Sequence, residues 1–167
     1  MELNSGSPLA ALLAGPMRPG RVVWIGLRPV RRQDVVPVER VAAVAGKGLE
    51  GDHYKSRSGS GRQVTLIQAE HLAAIATFLQ SDRIDPALLR RNIVVEGINL
   101  LALKDRRFSL GTAILEYSGA CHPCSRMEEN LGPGGYNAVR GHGGITARVI
   151  QSGEIHVGDS VTALIQV

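Results

Sequence analysis

The stretch "ITARVIQSGEIHVGDSVTALIQV", residues 145–167, limits the fold more than any other part of the chain. It holds three apolar-rich runs separated only by Ser-Gly and Gly-Asp pairs, which are turn dipeptides between neighbouring strands. Earlier segments behave alike. "RVVWIGL" (21–27), "VERVAAV" (38–44) and "RQVTLI" (62–67) are short apolar runs bounded by Pro or Gly, and "NIVVEG" (92–97) is another strand candidate. In "TAILEYSG" Ala113, Leu115 and Tyr117 alternate with Ile114, Glu116 and Ser118, the pattern of a half-buried strand. Glycine supplies 20 of the 167 residues, as a chain with many tight turns requires.

Helical signals are few. Leu72, Ile75, Ala76 and Leu79 fall at i, i+3, i+4 and i+7, so "AEHLAAIATFLQ" is expected as an amphipathic helix covering one opening of the sheet structure. Asp85 followed by Pro86 starts a second, short one. Many short strands with few helices predict a mainly β fold, a mixed or antiparallel β-barrel with a few short covering helices. Leu115, Val149 and Val161 are expected to pack inside it. Residues 1–19 are expected to form a flexible N-terminal arm and residues 20–167 a single domain, for no linker or internal repeat divides them. Glu2 stands where a signal peptide needs positive charge, and no apolar run approaches the ~18 residues of a membrane helix. No membrane partner is therefore expected.

The net charge of +4 suits an anionic ligand. Dispersed arginines and six aromatic side chains do not suit nucleic acid as the main partner. Two cysteines make no disulfide framework and point to a reduced, cytoplasmic protein.

Both cysteines lie in "GACHPCSRMEENLGPGG", residues 119–135. Ser125 and Glu128 have capping-box spacing and Gly132-Pro133 is a stop signal, so "SRMEENL" is expected as a short helix with Cys124 just before it. A helix start favours thiolate, the form in which cysteine binds metal or attacks. A buried, inert thiol is the ordinary alternative. Zinc would need two more ligands, and the other histidines form no second close pair; a thioredoxin-like site would need a βαβ setting that this strand-rich pattern lacks. Three further stretches have the texture of a ligand site. "GKGLEGDHYKSRSGSGRQ" (46–63) carries Asp52, His53, Lys55 and Arg57; "LRRNIVVEG" (89–97) carries Arg90, Arg91 and Asn92 at a helix-to-strand junction; "VRGHGGITARV" (139–149) places Arg140, His142, Gly143 and Gly144 before a strand. Guanidinium forks match phosphate, and glycines let backbone approach a ligand. A solvated loop, an exposed arginine pair and a barrel corner are the plainer readings of the three.

From about Gly20 to Val167 the chain resembles the MOSC domain, the C-terminal module of molybdenum cofactor sulfurases, in its short stand-alone form. The shared words are "GLEGDHY", "RQVTLIQAE", "LRRNIVVEG", "GACHPCSRMEENLG" and "RGHGGITARVIQSGEIHVGDSV", in the family's order. The resemblance implies a β-barrel that binds molybdenum cofactor of the molybdopterin type, with Cys124 as molybdenum ligand or sulfur carrier. It also implies that Arg90 and Asn92, with Arg91 where some relatives have proline, hold the phosphate or the pterin edge. Asp52, His53, His142, Gly143 and Gly144 match further cofactor-site motifs, with Arg140 and Cys121 beside them. No lysine stands in a pyridoxal phosphate context, so that cofactor is not expected. The chain contains neither the aminotransferase-like domain of full sulfurases nor the extra β-domain of the amidoxime-reducing relatives. Two functions follow: a molybdoenzyme that reduces N-hydroxylated substrates, or a carrier of persulfide or cofactor served by a sulfur or cofactor donor protein. The first requires an electron-donor protein, a ferredoxin or flavoprotein reductase, because the chain has no flavin motif and no iron–sulfur cysteine set.

Overall fold

The computed structural model describes residues 4–53 and 60–165. Lys55 and Arg57 of the sequence reading lie outside the described residues. The strands are β1 (Gly20–Leu27), β2 (Val36–Val38), β3 (Arg40–Val44), β4 (Gly48–Leu49), β5 (Val64–Gln68), β6 (Ile93–Glu96), β7 (Arg107–Leu110), β8 (Ala113–Ala120), β9 (Ile145–Gln151), β10 (Gly153–His156) and β11 (Ser160–Ala163). The helices are α1 (Pro8–Leu13), α2 (Ala69–Phe78), α3 (Ser125–Leu131) and α4 (Gly135–Val139), with 3-10 turns at Pro86–Leu89 and Leu100–Leu103. The large sheet runs β11-β7-β8-β9-β5-β6-β1-β2, and β1 also pairs with β11. That pairing closes seven strands into a barrel and leaves β2 as a flange on β1. Closure removes the open edges that would otherwise invite aggregation. All neighbours are antiparallel except β5 and β6, whose crossover contains α2.

The alternation of side chains separates two cores. Val64, Leu66, Ile93, Val95, Leu115, Val149 and Val161 point into the barrel, where the small sheet β10-β3-β4 adds Val41, Ala43, Leu49 and Ile155. Ile67 and Val94, on the opposite face of β5 and β6, pack outside it with Ile75, Leu89, Met127, Ala138 and Val139. Here the structure corrects one expectation: α2 does not cover an opening but lies on the outer wall. The parallel pair β5–β6 has apolar side chains on both faces and must be covered on both.

A second correction concerns α3. It spans the expected residues, and Gly132 (φ 85°) ends it, but its N-cap is Cys124 and no capping box forms. Glu128 instead accepts the N–H groups of Gly134 (2.8 Å) and Tyr136 (2.9 Å), so its carboxylate caps α4. Asp85 caps as the sequence predicts, accepting from Ala87 N–H at 2.9 Å. Within residues 1–19, α1 is capped by Ser7, and Gly15 C=O accepts from Arg106 at 3.1 Å. No described helix is long and apolar enough to cross a membrane.

The two backbone N–H groups hold the Glu128 carboxyl below the ordinary carboxylate value. A carboxyl with a depressed folded-state pKa contributes stability above its unfolded pKa and loses it as pH falls through the folded one. Glu128→Gln should therefore lower Tm at pH 7, and the gap from the parent should close below about pH 4. Thermal melts of both proteins across that range check this.

Candidate functional site

Ile25, Ile93, Leu66, Ile145 and Ala120 are successive register partners in one row across β1, β6, β5, β9 and β8. Four separate segments abut that row. Arg28 lies three residues beyond Ile25, Arg90–Asn92 lead into Ile93, Gly143–Gly144 lead into Ile145, and Cys121 follows Ala120. The barrel thus brings together stretches far apart in the chain. A register shift between Tyr117 and Gly119 lets β8 bend just before the cysteine turn.

Arg28 was not foreseen, and it anchors one half of the site. Asp52, its side chain 1% exposed, accepts from Arg28 N (2.7 Å), Nε (3.2 Å) and Nη2 (2.8 Å). Arg28 C=O in turn accepts from His53 N, and it lies 2.7 Å from His53 Nδ1. A carbonyl only accepts, so Nδ1 is the donor in this contact. Asp52 and His53 therefore act on Arg28. A buried carboxylate demands a cation, but nothing in "GLRPV" says that Arg28 supplies it.

Asn92 is fully buried. Its Oδ1 accepts from Thr65 N (3.1 Å), Thr65 Oγ1 (3.2 Å) and Arg28 Nη2 (3.3 Å), while Nδ2 donates to Gly26 C=O at 3.1 Å. Its side chain braces β1, β5 and β6 from within. Arg90 adopts a left-handed backbone (φ 56°) where the 3-10 turn meets β6, and its Nη1 donates to Gln33 C=O at 2.7 Å. Burial, then the charges of Arg126 and Arg28, lower its pKa, opposed by Asp52 and Asp34. Arg91, 6% exposed, turns inward and donates to Gly143 C=O (2.8 Å) and Leu89 C=O (2.8 Å), with Nη2 at 3.5 Å from Cys121 C=O.

The two thiols part company. Cys121 is 3% exposed and its N–H donates to Gly144 C=O at 2.9 Å. Cys124 is exposed, and its thiol makes no capping hydrogen bond. The two glycines serve close packing: a Cβ on Gly143 would stand 2.1 Å from Cys121 O, and one on Gly144 (φ 84°) 1.9 Å from Leu66 O. His142 turns to α2, edge-on to His71 at 4.8 Å between ring centroids and 5.4 Å from Phe78. Arg140 is exposed and bonds Asn137 Oδ1 at 3.3 Å. Among the described residues neither makes a hydrogen bond or ring contact to the cysteine turn. The assembled set is a cluster of arginines, Arg28, Arg90, Arg91 and Arg126, with Arg62 adding positive charge near Arg91, and an exposed thiol beside it. Such a set holds an anion and offers one soft ligand.

Residues 53–162 match the family model of the MOSC domain. Among solved structures the chain is similar to the YuaD protein from Bacillus subtilis, with TM-score 0.75 and 19% identity over 86% of this chain and 94% of that one. It is also similar to YiiM from Geobacillus stearothermophilus (TM-score 0.67, 19% identity, 87% and 75% covered). YiiM from Escherichia coli gives TM-score 0.66 at 18% identity, with 88% and 71% covered. At these identities the likeness is one of fold. No curated protein matches. A closed barrel with the family's motifs gathered at one row of its wall, matched by the family model over most of its length, places this chain in the MOSC domain family, a family associated with molybdenum cofactor binding.

Proposed function

We propose that the protein binds molybdenum cofactor at the arginine cluster and that Cys124 is the metal's protein ligand, in an enzyme that reduces N-hydroxylated compounds. The observation that carries this is the exposed, uncapped thiol of Cys124 beside the arginine cluster. The residues fit the group: guanidinium forks suit its phosphate, and a thiolate suits a metal already bound to dithiolene sulfur. Bound there, the cofactor would supply two-electron and oxygen-atom transfer. Arg90 and Arg126 would hold the anionic end, and Arg28, fixed by Asp52, would orient it. Asn92 holds Arg28 in place, and Gly143 and Gly144 keep the two loops tight.

Reducing a hydroxylamine to an amine consumes two electrons and two protons and releases water. The electrons would come from a partner, a ferredoxin or flavoprotein reductase, because the sequence shows neither a flavin motif nor an iron–sulfur cysteine set. Two free cysteines and no disulfide framework support a cytoplasmic setting in this reading. The exposure of Cys124 also favours a second reading, a carrier that presents persulfide or cofactor to another protein. Metal analysis with pterin fluorescence, on protein made in a host that produces the cofactor, decides the main reading. Absence of both would leave only the persulfide carrier.

Four substitutions test the assignments. Cys124→Ser should abolish metal retention and activity with Tm close to the parent, since the thiol is exposed. Cys121→Ser should instead lower stability, by ~1–3 kcal/mol for a buried hydroxyl left without a partner. Denaturant unfolding and metal content measured on both variants separate these outcomes. Arg90→Ala removes one charge-assisted contact and should weaken cofactor binding roughly ten- to hundredfold, read as occupancy at limiting cofactor. Asn92→Ala strips partners from buried Thr65 and Gly26 groups and should cost ~2–4 kcal/mol, visible first in the denaturant midpoint.

A further inference from the structure

Arg91 is a buried cation whose acceptors are all neutral. Its Nε and Nη1 donate to Gly143 and Leu89 C=O, each at 2.8 Å, and Nη2 stands 3.5 Å from Cys121 C=O. No ion pair of the described residues includes it. Buried charges ordinarily have a counter-charge, because removing a lone ion from water costs several kcal/mol. The groups near Arg91 that can carry negative charge are the thiols of Cys121 and Cys124, whereas Arg28 and Arg62 add positive charge. The three carbonyls belong to three chain segments: the turn before β6, the cysteine turn and the glycine turn before β9. The cysteine and glycine turns touch so closely that Gly143 has no room for a Cβ. A planar fork can bind several carbonyls at fixed angles, which a lysine ammonium cannot reproduce.

We propose that Arg91 is a positioning residue that locks Cys121 inside the fold while placing an uncompensated positive charge beside Cys124, so that Cys124 favours anionic ligands and reactants. The inference rests on Cys124 being the working thiol, and it deepens that reading by separating Arg91 from the residues that grip the cofactor. Its two parts separate by substitution. Lysine keeps the charge and loses the fork; methionine loses both.

The experiment is alkylation of the full, cofactor-free chain by iodoacetate, an anion, and by neutral iodoacetamide, at one pH and low salt, with both cysteines followed by peptide mapping. The ratio of the two rates at Cys124 reads the local charge whatever the thiol's own reactivity. In Arg91→Met the ratio should fall about three- to tenfold, and in Arg91→Lys it should stay within about twofold of the parent. Cys121, shielded in the parent, should react at least about tenfold faster in both variants. Val161→Ala, a core truncation in β11, should leave Cys121 shielded, which excludes a general loss of stability as the cause. An unchanged ratio in Arg91→Met overturns the electrostatic part, and shielded Cys121 in both variants overturns the lock. If Arg91→Met does not fold, Arg91→Gln replaces it for the ratio, and Arg91→Lys alone decides the lock. None of these rates involves the cofactor, so a failure of the cofactor assignment leaves them interpretable, and the reverse holds equally.

Discussion

The side chain of Asn92 joins the barrel to the site. Its amide carbonyl takes three hydrogen bonds, two from Thr65 on β5 and one from Arg28 beyond β1, and its amide nitrogen returns one to Gly26. Thr65 Oγ1 accepts from Asn92 N–H at 3.0 Å, so the two residues bond reciprocally across the parallel strand pair. An amide with its partners taken and no exposure has a single orientation available. Arg28 inherits that orientation, and Asp52 completes it from the other side. The Arg28 guanidinium is therefore held by buried polar groups. A preorganised cation of this kind spends less ordering entropy when an anion arrives.

The same logic explains why two adjacent arginines have different work. Arg90 takes the left-handed backbone conformation and points to the Gln33 side, among Arg28, Arg126 and two carboxylates. One residue later, still ahead of β6, Arg91 turns inward to the carbonyls of Gly143 and Leu89. The outer arginine remains half-exposed to a ligand, and the inner one is committed to the frame. Asn92 then faces the β1–β5 seam.

Much of the barrel was legible because strand alternation and Gly-bounded runs are local signals. Segments 21–27, 62–67, 92–97, 112–119 and 145–151 all overlap observed strands. β7 (Arg107–Leu110) was missed because three charged residues, Lys104, Asp105 and Arg106, precede it and only Phe108 and Leu110 mark its buried face. The capping box at Ser125 had the right spacing, yet the carboxylate found two backbone donors on the next helix, a contact that sequence spacing cannot foretell. The position of α2 was likewise a tertiary matter, since periodicity shows which face is apolar but not which wall that face meets.

The site was legible in its words and not in its geometry. Arg90 to Asn92, Asp52 and the two cysteines are brought to one neighbourhood, although most of them bind one another or the backbone. Arg28 stayed hidden because its part depends on where β1 ends relative to β6, a matter of register. Arg140 and His142 shared a motif with Gly143 but not its surroundings, for the turn before β9 directs them to α4 and α2 while Gly143 meets Cys121. A motif of contiguous residues on a turn fans its side chains outward in several directions, and here the backbone of the two glycines is what touches the cysteine turn. Arg91, thirty residues before Cys121 in sequence, reaches both turns through its hydrogen bonds to Gly143 C=O and Cys121 C=O.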